Sequence, residues 1–168
     1  GTEAAGVVSR VGRGVTLFKP GDRVVYCLAS MGAYSELHNV AEDRLMHLPE
    51  AISFEQGAAS YLKGLTTQYL LRQTYKISAG ETFLFHAAAG GVGLIACQWA
   101  KALGAHLIGT VGSAEKATIA RNAGAWATIN YREEDIAARV SELTDGKKVG
   151  VVYDSVGKDT WEASLDSL

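Results

Sequence analysis

Six residues, 88–93, have the composition of a turn that can bind phosphate. They read Ala-Ala-Gly-Gly-Val-Gly and join an apolar segment of β character (FLFHAA) to a segment of helical character (GVGLIACQWAKALG). The dinucleotide-binding fingerprint at such a turn is G-x-G-x-x-G, whose glycines serve the tight turn, the close approach of the pyrophosphate and the packing of helix on strand. Gly90 and Gly93 supply the second and third glycines, and Ala88 takes the place of the first.

A methyl group in place of hydrogen at Ala88 still allows the turn if φ stays negative there. The pyrophosphate would lie over the backbone N–H groups at the start of the following helix, where the helix dipole favours an anion. A degenerate fingerprint can also do no more than pack a helix on a strand, but the strand–turn–helix context favours nucleotide binding. The predicted cofactor-binding residues of this turn are Ala88, Ala89, Gly90, Gly91, Val92 and Gly93.

The end of the next predicted strand bears on which nucleotide would bind. An NAD site places a carboxylate there for the ribose hydroxyls, and this strand end has none. Ser113 and Lys116 follow it, and Tyr131 and Arg132 follow the third strand. A hydroxyl and a cation suit a 2′-phosphate, which favours NADPH, although Glu115 lies close by in the sequence. Ser113 could equally be only a helix N-cap, with Lys116 a solvated helix residue.

Strands and helices alternate from residue 81 onwards. The predicted strands are residues 83–88, 106–111, 127–130 and 149–156, and the predicted helices are residues 91–104, 114–124, 133–144 and a last one from Asp159. This βαβαβαβα order predicts an α/β fold with a Rossmann-type doubly wound parallel sheet.

Residues 1–48 have a different, β-rich pattern. The predicted strands are GVVSRV (6–11), DRVVYC (22–27), AYSELHNV (33–40) and RLMHLP (44–49), which we expect to form a barrel-like or sandwich-like unit. Ser53 and Gln56 have the spacing of a capping box, so we expect a helix to begin there. The helical pattern continues through Leu71, with a break predicted at Gly64.

Composition excludes some classes of protein. Residues 83–100 carry no charge, but three glycines with His86 and Gln98 make a membrane span a poor interpretation. The net charge of −2 gives no reason to expect a nucleic-acid surface. Cys27 and Cys97 form no paired motif, which indicates reduced thiols and a cytoplasmic location.

Several motifs, in order along the whole chain, resemble the NADPH:quinone oxidoreductases, the ζ-crystallin-like, zinc-free branch of the medium-chain dehydrogenase/reductase superfamily. They are GTEAAG (1–6), PGDRV (20–24), LKGLTT (62–67), AAGGVG (88–93), INYREE (129–134) and YDSVG (153–157). The resemblance implies part of a GroES-like β-barrel domain over residues 1–62 and part of an NADP-binding Rossmann domain over residues 63–168. It also implies that Thr66, Gly91, Ser113, Lys116 and Tyr131 face NADPH, and that the full-length protein forms a homodimer.

The resemblance further implies metal-independent reduction of a quinone. Thr2 stands where zinc-dependent relatives have a histidine ligand, and a hydroxyl is a poor zinc ligand. His38, His47, His86 and His106 show no ligand spacing, and we interpret them as surface or hydrogen-bonded core residues. We assign no catalytic acid or base, because a quinone needs mainly positioning against the nicotinamide.

Two alternatives stay open at this stage. One is NADPH-dependent reduction of an activated enal or enone, and the other is a structural or RNA-binding role like that of some ζ-crystallins. The chain starts without Met and stops within a helical pattern, so we expect an internal piece that is a poor enzyme by itself.

Overall fold

Two units, Gly1–Leu65 and Thr66–Leu168, make up the computed structural model, which describes residues 1–168. The division lies close to the predicted domain boundary after residue 62. The domain bounds themselves stay a prediction.

The first unit contains a three-stranded antiparallel sheet in the order β1-β2-β3. Its strands are β1 (Glu3–Val7), β2 (Arg23–Cys27) and β3 (Met46–His47). A turn at Pro20-Gly21 precedes β2, and Gly21 has a φ of +95° that suits glycine. The amide of Gly21 donates to the carbonyl of Val8 at 2.9 Å, which fixes the register of β1 against β2.

Two strand predictions in this unit are wrong. The strand placed at residues 6–11 covers Glu3–Val7 instead, because its pairing with β2 ends beside the turn. Residues 33–40 form no strand. There the Ser35 hydroxyl donates to the carbonyls of Gly32 and Leu37, and such local side-chain bonds compete with a strand ladder.

Helix α1 (Phe54–Tyr69) begins at the predicted capping box, which is confirmed. The Ser53 amide donates to Gln56 Oε1 at 2.9 Å, and the Gln56 amide donates to Ser53 Oγ at 3.1 Å. The break predicted at Gly64 is wrong, since the helix runs through it and changes only at a π-helical turn over Leu70–Thr74. A glycine costs a helix about 1 kcal/mol, which α1 tolerates.

The second unit is a parallel four-stranded sheet flanked by helices, as predicted. Its elements are β4 (Thr82–Phe85), α2 (Gly91–Leu103), β5 (His106–Val111), α3 (Ala114–Ala123), β6 (Ala127–Asn130), α4 (Ile136–Leu143), β7 (Val152–Tyr153) and α5 (Trp161–Asp166). The strand order is β6-β5-β4-β7, with every pairing parallel. The chain adds β5 and β6 on one side of β4 and then returns to add β7 on the other side. The direction of winding therefore reverses at the β4–β7 pair. Such a topological switch point is where open α/β sheets bind ligands.

Both faces of this sheet are buried, which explains the apolar strand sequences. Phe83, Phe85 and Leu107 pack on one face with α2 and α3, whereas Leu84 and Ile108 pack on the other face with α4. Alternation of side chains along each strand divides the core in this way.

Several elements are shorter than predicted. Strand β3 keeps only Met46–His47 of the predicted residues 44–49, and β4 ends at Phe85 instead of residue 88 because a turn begins at His86. Helix α4 starts three residues after the expected position because Asp135 is its N-cap and accepts from the Ala138 amide at 2.7 Å. Strand β7 keeps only Val152–Tyr153 of the predicted residues 149–156.

None of the helices has both the length and the hydrophobicity needed to cross a membrane.

Gly64 offers a test of helix α1. A Cβ added there meets nothing within 4 Å, so Gly64→Ala should stabilise the protein by about 0.5–1 kcal/mol through helix propensity and a less flexible unfolded chain. Urea unfolding followed by circular dichroism measures this change.

The matched control is Gly124→Ala. Gly124 ends α3 with a φ of +114°, and an added Cβ would lie 3.0 Å from the Cys97 carbonyl oxygen. This variant should be destabilised by 1 kcal/mol or more. Destabilisation by Gly64→Ala would contradict a continuous helix.

Candidate functional site

The turn between β4 and α2 gets its shape from Ala87, not from Ala88. Ala87 has a φ of +54°, in the left-handed region, whereas Ala88 is not among the residues with positive φ. The Ala88 amide donates to the Thr110 carbonyl at 3.0 Å, and the Gly90 amide donates to the Ala87 carbonyl at 2.8 Å. Alanine can therefore replace the first glycine of the fingerprint because the strained conformation falls one residue earlier.

Gly109 on the neighbouring strand makes room for the Ala88 methyl group. A Cβ added at Gly109 would lie 2.4 Å from Ala88 Cβ, closer than side chains can approach. The methyl group at 88 thus requires a glycine at 109, and Ala88 is fully buried. Sequence reasoning missed this compensation, which only the pairing of β4 with β5 reveals.

Gly93 brings the first turn of α2 against the end of β4. An added Cβ would lie 2.6 Å from the Ala87 carbonyl oxygen and from the Cα and carbonyl oxygen of Ala88. Since backbone atoms cannot move aside cheaply, Gly93 fills the helix–strand packing role expected of the third glycine.

The start of α2 has the properties of an anion site. Its N-cap is Gly90, which has no side chain to bind the N–H groups of the first turn. Those amides, at Gly91, Val92 and Gly93, are left for solvent or a ligand. The positive end of the helix dipole adds attraction for a negative group.

A cavity of about 530 Å³ lies at the carboxyl ends of β4 and β7, at the switch point. Of the predicted residues, it brings together Thr66, Gly90, Gly91, Val92 and Gly93. Ala88 and Ala89 do not line it, because Ala88 is fully buried and Ala89 packs on the core.

The remaining predicted residues, Ser113, Lys116 and Tyr131, lie apart from this cavity, where β5 and β6 end. Ser113 is the N-cap of α3 and accepts from the Lys116 amide at 3.3 Å. The Tyr131 hydroxyl covers Gly112, since a Cβ added to Gly112 would meet it at 2.6 Å. Lys116 and Tyr131 are exposed. The structure thus gathers a hydroxyl, a cation and a phenol at one edge of the sheet.

Asp154 was missed by sequence reasoning, although it follows β7 and lines the cavity. Its Oδ1 accepts from the amides of Val156 and Gly157, and its Oδ2 accepts from the hydroxyls of Thr160 and Ser164, all at 2.7–2.9 Å. Burial alone would raise the pKa of this carboxyl, but the four hydrogen bonds prevail and hold its pKa well below the usual range. Asp154 is therefore a carboxylate at neutral pH.

His86 lies beside Asp154 and is 1% exposed. Its Nδ1 is 3.0 Å from Thr110 Oγ1, and its Nε2 is 3.0 Å from Ser164 Oγ. Burial lowers the pKa of the imidazole, while the charge of Asp154 acts in the opposite direction. His86 is thus a hydrogen-bonded core histidine, one of the two placements expected from the sequence.

Tyr153 anchors the π-helical turn beside the cavity. Its hydroxyl donates to the carbonyl of Leu70 at 2.9 Å and lies 3.3 Å from the carbonyl of Tyr75. The Tyr75 amide closes this turn by donating to the same Leu70 carbonyl at 3.2 Å, so the phenol ties β7 to both ends of the turn. Burial raises the pKa of Tyr153 to about 12, so this donor keeps its proton at physiological pH.

The depressed pKa of Asp154 predicts a specific acid sensitivity. A carboxyl whose folded-state pKa is lowered adds stability above its unfolded pKa of about 4 and loses it as pH falls towards the folded value. Asp154→Asn should cost about 2 kcal/mol at pH 7 and flatten the loss of stability below pH 4. Urea titrations from pH 3 to 7 measure this, followed by tryptophan fluorescence, since all three tryptophans lie in the second unit.

Asp159→Asn is the control, because Asp159 is exposed in the same loop and should leave the pH profile unchanged. Parallel pH profiles for Asp154→Asn and the unaltered protein would contradict the assignment.

Two family models match the chain. That of the alcohol dehydrogenase GroES-like domain matches residues 1–50, and that of zinc-binding dehydrogenase matches residues 91–168. The fold is therefore a GroES-like segment followed by a Rossmann-like parallel sheet, as predicted.

Curated relatives match over the whole chain. The quinone oxidoreductase of Salmonella typhimurium is 71% identical, with 100% of this chain and 51% of that protein covered. The 2-haloacrylate reductase of a Burkholderia species is 50% identical, again with 100% of this chain and 51% of that protein covered. The chain spans about half the length of the curated relatives it matches.

A solved structure with the same fold is the quinone oxidoreductase of Escherichia coli complexed with NADPH. It has a TM-score of 0.98 and 69% sequence identity, and the match covers 100% of this chain and 52% of that one. With these similarities and the fold described above, the chain belongs to the quinone oxidoreductase family of the medium-chain dehydrogenase/reductase superfamily.

Proposed function

We propose that the protein passes reducing equivalents from NADPH to a quinone without a metal ion. The observation that carries this proposal is the edge at the ends of β5 and β6, where Ser113, Lys116 and Tyr131 gather. No carboxylate ends β5 to bind ribose hydroxyls, as an NAD site requires. The Escherichia coli relative complexed with NADPH supports the same cofactor.

The residues of the second unit have distinct roles in this proposal. The amides of Gly91, Val92 and Gly93 bind the pyrophosphate, and the close packing at Gly93 holds them in place. Ser113, Lys116 and Tyr131 bind the 2′-phosphate, and Thr66 borders the nicotinamide. When bound, NADPH supplies a hydride from its nicotinamide ring.

The names of the relatives support the substrate class. A quinone fits because its ring accepts electrons readily and becomes aromatic, so positioning can replace Lewis-acid activation. The similarity to a 2-haloacrylate reductase favours a second candidate, the reduction of an activated alkene. Loss of NADPH absorbance with a quinone or with 2-chloroacrylate, in the same preparation, distinguishes the two.

A structural or RNA-binding role has less support, since the net charge is −2. We further infer a homodimer of the full-length protein from the family resemblance, and a cytoplasmic location from Cys27 and Cys97, which form no paired motif.

The donors of this chain do not fit the zinc that one family model's description names. The chain has no group of three or more His, Cys, Asp or Glu side chains placed to hold a metal ion. Both ring nitrogens of His86 and of His38 are hydrogen-bonded to hydroxyl groups, and burial raises the pKa of the Cys97 thiol to about 11.

Cofactor preference can be tested at Lys116. Lys116→Ala removes a charge-assisted bond to the 2′-phosphate, so the apparent constant for NADPH should rise about ten- to a hundredfold while that for NADH changes little. Steady-state kinetics with both cofactors measures the two constants. Lys101→Ala, an equal charge change at the far end of α2, is the control. Equal effects of Lys116→Ala on both cofactors would refute the assignment.

Metal independence has a direct test. Elemental analysis of the purified protein should find well under one zinc per chain, and chelators should leave quinone reduction unchanged. Stoichiometric zinc together with chelator-sensitive activity would overturn this part of the proposal.

A further inference from the structure

A chain of hydrogen bonds crosses the switch point from the turn to the end of β7. The Ala87 amide donates to Thr110 Oγ1 at 3.2 Å, and Thr110 Oγ1 is 3.0 Å from His86 Nδ1. His86 Nε2 is 3.0 Å from Ser164 Oγ, which donates to Asp154 Oδ2 at 2.7 Å. This series of hydrogen bonds therefore connects Ala87 and Asp154, which both line the cavity.

The Asp154 carboxylate at one end of this series determines which partner donates in each hydrogen bond. A carboxylate can only accept, so the single proton of Ser164 points to Asp154 and the Ser164 oxygen accepts from His86. His86 must then carry its proton on Nε2, and its bare Nδ1 accepts from Thr110. The Thr110 oxygen keeps a lone pair for the Ala87 amide. One arrangement thus satisfies every donor and acceptor.

A protonated His86 would break this pattern. Its Nδ1–H would point at Thr110, whose own proton would lose its acceptor in a site where Thr110 is 2% exposed. The nearest carboxylate is 3.9 Å from Nε2, and the Ser164 hydroxyl already bonds to both groups. The ring is therefore a neutral connector and not half of an ion pair.

At its other end, this series of hydrogen bonds reaches Ala87, the one strained residue of the turn. The left-handed conformation of Ala87 is unfavourable for a residue with a Cβ and persists only where its surroundings hold it. Ala87 also accepts from the Gly90 amide and lies against Gly93. The direction in which the amides at the start of α2 point therefore depends on how firmly Ala87 is held.

We propose that Thr110, His86 and Ser164 form a positioning network, with His86 as the neutral Nε2–H tautomer, that holds Ala87 and aligns the turn with the loop after β7. Thr110 and Ser164 do not line the cavity, and His86, which borders it, is 1% exposed. Their effect on ligand affinity rests on the function proposed above, whereas the tautomer and the restraint on Ala87 do not.

The ligand-free protein provides the first test. Nitrogen-15 NMR at neutral pH should show His86 protonated on Nε2 alone. Thr110→Val should speed hydrogen exchange of the Ala87 amide about tenfold or more, since its acceptor is lost, and Thr110→Ser should restore slow exchange. An Nδ1–H or doubly protonated ring, or unchanged exchange in Thr110→Val, would overturn the proposal.

Affinity provides the second test. Thr110→Val and Ser164→Ala should each weaken NADPH binding by about tenfold. Ser167→Ala is the control, because Ser167 is also buried but its hydroxyl bonds only the Ala163 carbonyl, outside the network. It should change the NADPH affinity less than about twofold.

The network is only structural, and the proposal fails, if Thr110→Val and Ser164→Ala destabilise the protein as much as Ser167→Ala does and leave the NADPH affinity unchanged. If the unaltered protein does not bind NADPH, the proposed function fails, and the tautomer and exchange data still decide the network.

Discussion

The close approach of α2 to the end of β4 is the constraint on which the second unit depends. Gly93 sits where any Cβ would lie 2.6 Å from backbone atoms of Ala87 and Ala88. This contact presses the start of the helix onto the turn, so the amides of the first turn face the switch point. The same turn is confined from the neighbouring strand, where the missing side chain at Gly109 leaves room for the Ala88 methyl group.

The electrostatics of the cavity follow from that geometry. The start of α2 attracts an anion, and the carboxylate of Asp154 in the same cavity would repel one. Four donors engage the two oxygens of Asp154, which disperses its charge among local hydrogen bonds. The carboxylate can thus order the loop after β7 while its field at the helix terminus is reduced.

The sequence predicted the features that depend on local pattern. β5 and β6 have the predicted bounds, and the Ser53–Gln56 capping box is present, because side-chain alternation and capping are short-range effects. The features it did not predict depend on contacts between neighbouring strands or within an irregular loop. Ala88 is permitted by Gly109, and Asp154 is held by Ser164 on α5. Neither pairing leaves a periodic signal. A local pattern can also mislead. Residues 33–40 have a β-like sequence but form no strand, and the Ser35 hydroxyl there bonds the carbonyls of Gly32 and Leu37.

The two interpretations of Ser113, as an N-cap and as a phosphate ligand, are compatible. A serine hydroxyl has one proton and two lone pairs, and capping uses a single lone pair to accept from the Lys116 amide. The proton stays available for a phosphate oxygen. Capping also fixes the Ser113 rotamer and starts α3 at Ala114, which puts Lys116 in the first turn. A lysine in a first turn is unfavourable to the helix dipole, but Glu115 beside it supplies a negative charge that the dipole favours. Capping therefore leaves the Ser113 proton and the Lys116 ammonium as donors on one turn, to which a single phosphate group could accept.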